Sequence, residues 1–138
     1  MPESSLERLR FPVVGIRSND PMVYFFAQAA ELETTSEQLL GQGVFRGVEF
    51  VDTTGRVFTV KHVHKTGYRG LWGWNPLRKG RQVSVRFTLQ ENDLVALEAF
   101  KQTLSAQVLA SPHTVNRADL LRAVRDAANF HEIIRLFK

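Results

Sequence analysis

No cysteine occurs anywhere in the 138 residues. Disulfides, thiolate nucleophiles and cysteine-ligated metal centres are therefore excluded at the outset. Long apolar runs are missing as well, and no stretch approaches the ~18 residues that a membrane-spanning helix needs. The opening MPESSLERLR carries no apolar run of the kind a secretory signal has, so a cytoplasmic location is the expectation. Catalytic signatures are also lacking: there is no GxxxxGK(S/T) phosphate loop, no GxSxG elbow, no HExxH and no GxGxxG. No catalytic residue is assigned on these grounds, no cofactor is expected, and an enzyme would need a site assembled from distant residues.

One further absence is local. From Thr53 to Gln90 there is no Asp or Glu, while Arg56, Lys61, Lys65, Arg69, Arg78, Lys79, Arg81 and Arg86 supply eight positive charges. The net charge of +4 thus hides an asymmetry, because the rest of the chain is acidic by four. Such segregation can build a one-sided field that attracts anions. Spread over the two faces of a hairpin, the same cations would simply be solvated.

What is present is ordinary globular composition, 43% hydrophobic and 23% charged, enough for one domain over residues 1–138. Phe11 to Ile16 and Met22 to Phe26 read as strands around a Ser18–Pro21 turn, and AQAAELETTSEQLLGQG reads as helical in one piece or two, with Thr35 and Gln38 forming a capping box. The firmest local signal is RGVEFVDTTGRVFTVKHV. Asp52-Thr53-Thr54-Gly55 suits a type I turn with Gly55 left-handed, which pairs Phe50 with Phe58 and Val48 with Val60. Continued, that register sets Arg46 across from His62 and Val44 across from His64. A further strand, RQVSVRFTL, alternates apolar and polar residues, as in a sheet with one buried face. The period then becomes helical, with Asn92 or Asp93 as cap to about Ala110, a break at Ser111-Pro112, a second helix after Asn116, and NFHEIIRLF as a continuation or short last helix. The fold class expected is α+β: a mainly antiparallel sheet of four to five strands with two long C-terminal helices on one face.

His62 and His64 lie two apart and share a strand face, but zinc wants three or four ligands and none is evident nearby. No metal is expected, and the histidines read as partly buried. The remaining candidate is the connection from Thr66 to Gly80 and its flank, where Tyr68, Trp72 and Trp74 alternate with Arg69, Arg78, Lys79 and Arg81. Basic residues hold phosphates and aromatics stack on unpaired bases, a combination suited to single-stranded nucleic acid. The same residues suit an anchor for a protein partner, and LWGW can also fold back over Arg46, His62 and His64 as a core plug.

The strings VYFF, LETTSEQLLGQG, FRGVEFVDTTGRVFTV and LWGW together resemble small bacterial α+β proteins of unknown function, some of which are immunity proteins for secreted toxins. The resemblance spans roughly residues 11 to 90 and assigns no residue a role. Four functions remain open on the sequence: a non-catalytic binding or adaptor domain for a protein or anionic partner such as nucleic acid, an immunity-type inhibitor, a single-strand binder, and an enzyme with an unrecognised site.

Overall fold

A computed structural model describes residues 3–4, 6–17, 20–36, 45–68, 82–111 and 116–138. Seven strands are formed among them: β1 (Glu3–Ser4), β2 (Val13–Arg17), β3 (Val23–Phe26), β4 (Thr34–Ser36), β5 (Val48–Val51), β6 (Arg56–Tyr68) and β7 (Gln82–Leu94). The helices are a 3-10 turn at Leu6–Arg8, a single turn α1 (Ala30–Glu33), and then α2 (Leu97–Ala110), α3 (Arg117–Asp126) and α4 (Phe130–Arg135). Five strands form an antiparallel sheet in the order β3-β2-β5-β6-β7. The outer edge of β7 is then covered by two short pieces: β4 pairs with Gln82–Ser84 and β1 with Leu89–Gln90. The expected α+β class, sheet size and C-terminal helices are all present.

The hairpin turn forms as the sequence implies. Phe50 pairs with Phe58, and Gly55 adopts φ +83°. Asp52 is wholly buried, and its carboxylate accepts from the backbone N–H of Thr54 (2.9 Å), Arg56 (3.1 Å) and Arg10 (3.2 Å) and from the Thr54 hydroxyl (2.6 Å). A buried carboxylate is tolerable because these donors replace its hydration. The turn is thereby tied both to itself and to the chain entering β2.

Both faces of the sheet are buried, which corrects the expectation of one. Strand alternation sends Val13, Phe50 and Phe58 to one side and Val14, Val51 and Val57 to the other. The first side packs beneath Leu6 and Leu9 of the N-terminal segment and Leu32 of α1, together with Val85, Phe87 and Leu89 of β7. The second side is covered by Phe100 and Leu104 of α2 and by Ile133 and Ile134 of α4. The C-terminal helices therefore belong to one face, and the N-terminal segment supplies the cover for the other.

Several boundaries differ from those the sequence implies. Of the helical segment expected over 27–43, Ala30–Glu33 forms a single turn, with the N–H groups of Ala27 and Gln28 just before it donating to the Glu31 carboxylate, and residues 37–43 lie outside the described residues. Thr34–Ser36 then joins β7, so Thr35 lies in a strand rather than at a helix start. Its expected partner Gln38 lies outside the described residues, as do Ser18, Asn19 and Pro112. β-Branched residues suit that edge, and backbone pairing there outweighs a weak helical preference. β7 likewise runs on to Leu94, so Asn92 and Asp93 lie in the strand rather than at a helix start. The Asn92 amide instead donates to the Thr59 hydroxyl at 2.7 Å, and α2 begins after Ala96 with no side-chain cap. Asn116 precedes α3 as expected, but in a left-handed conformation and without a side-chain cap bond. α4 is properly capped: Asn129 accepts from Glu132 N–H at 2.9 Å, while the Glu132 carboxylate accepts from Ala128 N–H at 2.7 Å.

Candidate functional site

β6 and β7 form an antiparallel hairpin of 13 residues per strand, far longer than their neighbours. Its register is not regular. After Val60, which pairs with Leu89, the next pair is His62 with Thr88, so Lys61 is an extra residue in β6. Lys61 and His62 together oppose Thr88, which is a β-bulge. The insertion exchanges the two faces of the strand beyond it. Val63, not His62, continues the apolar row and packs with Val85 and Phe87, where Phe45 meets Phe87 edge-on at 5.0 Å.

The bulge decides the fate of the histidines. An unbroken strand would carry His62 and His64 along the row of Phe58 and Val60, partly buried. Instead they turn to the opposite face and are exposed, their rings stacked with centroids 5.6 Å apart and planes 28° apart. The pairing expected between Arg46 and His62 does not form either. Arg46 lies in a turn at Phe45–Gly47 before β5 begins, and His62 and His64 face Thr88 and Arg86 of β7. Val44 lies outside the described residues.

The face that bears the histidines is the same one that the C-terminal helices cover nearer the turn. Among the described side chains of β6, Val57 alone packs into the helix-bearing core. Beyond it the surface carries Thr59, His62 and His64 on β6, with Arg86, Thr88 and Gln90 alongside on β7. Lys61, His62, His64 and Arg86 are exposed. Glu49 of β5 pairs with Thr59 and bounds the strip towards the turn. The ion pairs formed among the described residues lie elsewhere, with Glu91 joining Arg8 and Arg56 at 2.9 and 3.0 Å nearer the turn, and none engages Lys61 or Arg86. The result is an open strip of sheet with cations, flat rings and hydrogen-bonding side chains. It has no carboxylate on β6 from Lys61 to His64 or on β7 from Arg86 to Thr88.

Of the site residues named from the sequence, Arg69, Trp72, Trp74, Arg78, Lys79 and Arg81 lie outside the described residues. Tyr68 is the last residue of β6, where it pairs with Val83. The connection therefore starts later than the sequence implies, since Thr66, Gly67 and Tyr68 are strand. The histidines and Arg86 belong to the acid-free run, but their shared exposure is hidden in the sequence, because a one-residue bulge leaves no compositional mark.

Other polar clusters are structurally accounted for. Asp20 accepts from Met22 N–H at 2.9 Å and the Tyr24 hydroxyl at 2.7 Å, with Arg17 at 3.4 Å, and these hydrogen bonds hold its carboxyl below the usual carboxylate range. The same bond to Asp20, with some burial, raises the Tyr24 phenol. A shallow groove of about 350 Å³ between α2 and α3 is lined by Glu98, Lys101, Gln102, Ser105, Leu109 and Arg125. There Lys101 donates to the Arg125 carbonyl at 2.8 Å, which caps the end of α3. Among the described residues no group of three or more His, Asp or Glu is placed to hold a metal ion, and no helix is long and apolar enough to cross a membrane. Compared with protein-family models, curated proteins and solved structures, the chain matches none.

Proposed function

We propose that this chain is a non-catalytic binding domain that engages an anionic partner through its β6–β7 hairpin. The observation that carries this reading is the open strip. Lys61 and Arg86 are exposed and outside any ion pair among the described residues, and the paired stretch of β6 and β7 between them includes no acid. Cations left unpaired on one surface produce an attractive potential for anions and speed their capture. The segment between β6 and β7 continues the same acid-free run, with Arg69, Trp72, Trp74, Arg78, Lys79 and Arg81 following Tyr68 in the sequence. The rest of the fold supports this hairpin, with β6 tied at its start by the β5–β6 turn that Asp52 organises and β7 paired along its outer edge with β1 and β4.

The test is a titration of labelled polyanions, polyglutamate and oligonucleotides, at two salt concentrations. Replacing Lys61 and Arg86 by glutamate should weaken binding by at least about tenfold and reduce its salt dependence. Binding unchanged by that double reversal would show that the partner uses another surface.

A further inference from the structure

We infer that the open face of the hairpin binds single-stranded nucleic acid, with His62 and His64 as a stacking platform and Arg86 and Lys61 holding phosphates. This rests on the reading that the hairpin takes an anionic partner, and it names both the class of that partner and the residues that recognise it.

Charge alone would fit any polyanion, and the histidines narrow the class. Two rings stand exposed on one strand, stacked with their planes 28° apart. They are held outward by the Lys61 bulge, which re-aims side chains at the cost of a ladder pairing and recurs at functional positions in sheets. An acidic peptide offers carboxylates, for which Arg86 and Lys61 would suffice and flat rings add little. A duplex also presents phosphates, but its bases are stacked on each other and closed to a flat surface. An unpaired strand presents both phosphates and free base faces, and bases stack on histidine as they do on other aromatic rings. Around the rings, Thr88 and Gln90 on β7 and Thr59 on β6 supply donors and acceptors for base edges.

A metal ion is the other ligand that two histidines invite. The described residues offer no third ligand, and Lys61 and Arg86 beside the pair repel a divalent cation. The same neighbours favour a phosphate. The helix layer ends short of this strip, with Val57 the only described β6 side chain in the core beneath it, so an extended strand can lie across β6 and β7 without displacing core.

The experiment is fluorescence anisotropy with labelled single-stranded oligonucleotides, a duplex of equal length and labelled polyglutamate, each at two salt concentrations. The wild-type chain should bind single strands more tightly than either competitor. The double substitution His62→Ala and His64→Ala should weaken single-strand binding by about 10- to 100-fold with the salt dependence unchanged. Arg86→Ala should weaken it while flattening the slope of log affinity on log salt by about 0.7 for each phosphate that Arg86 holds. All of these side chains are exposed, and melting curves matching wild type confirm that folding is kept. Equal binding to all three polyanions, untouched by the histidine substitutions, overturns this inference and leaves the anionic-partner reading standing. No binding to any polyanion at low salt overturns both.

Discussion

The ring of Phe130 lies directly against Gly55: a Cβ built on Gly55 would stand 2.7 Å from Cζ and 2.8 Å from Cε2 of that ring. The turn of the β5–β6 hairpin is thus docked on α4, and Phe130 in turn packs on Phe100 of α2 at 5.3 Å. The contact adds to the conformational demand of φ +83° at the same residue. Gly55→Ala should cost at least about 2 kcal/mol, combining left-handed strain with overpacking against a ring that is itself held by Phe100. Chemical denaturation checks it. In a Phe130→Ala background the same change should cost distinctly less, and equal costs in both backgrounds would show that the ring is not the obstacle.

Asp52→Ala should destabilise by about 3 kcal/mol, because it removes the acceptor of the Thr54, Arg56 and Arg10 N–H groups together. Asp52→Asn, which keeps one acceptor oxygen, should cost less. A loss below about 0.5 kcal/mol for alanine would mean that the carboxylate does not organise the turn.

Phe58→Ala should cost ~3–5 kcal/mol, since the side chain is fully buried opposite Phe50 and leaves a cavity in the centre of the sheet. His62→Ala, further along the same strand, should cost less than about 0.5 kcal/mol because it is exposed. An unbroken alternation would bury both side chains and make both substitutions costly, so the pair of urea curves tests the bulge itself.

The Asp20–Tyr24 bond gives opposite pH signatures at its two ends. Asp20 is lowered from 3.8 in the fold, chiefly by the Met22 N–H and next by Tyr24, so its stabilisation is present above the unfolded value and is lost as pH falls through the folded one. Tyr24 is raised from 10.0, chiefly by its bond to Asp20, so its stabilisation is present below the unfolded value and is lost as pH rises through the folded one. Asp20→Asn should bring the Tyr24 titration down towards 10.0, read from phenolate absorbance with Tyr24→Phe to assign the signal. An unmoved titration would mean that burial, not the carboxylate, raises the phenol.

The parts of this molecule set by near neighbours are legible in the chain. The Asp52–Gly55 turn, the Phe50–Phe58 pairing and the alternation of Val85, Phe87 and Leu89 all follow from turn chemistry or periodicity within a few residues. So does the acid-free run that draws attention to the hairpin. Pairings between distant segments decided the rest. Thr34–Ser36 is a strand because β7 offers it an edge, and Asn92 bonds Thr59 instead of capping a helix because β7 keeps a partner in β6. The second sheet face is buried because Leu6, Leu9 and Leu32 arrive from elsewhere in the chain. The histidines show the limit most clearly. A period of two assigns their face by counting, but one extra residue at Lys61 reverses the count, and only the paired strand across the sheet fixes where that residue is accommodated.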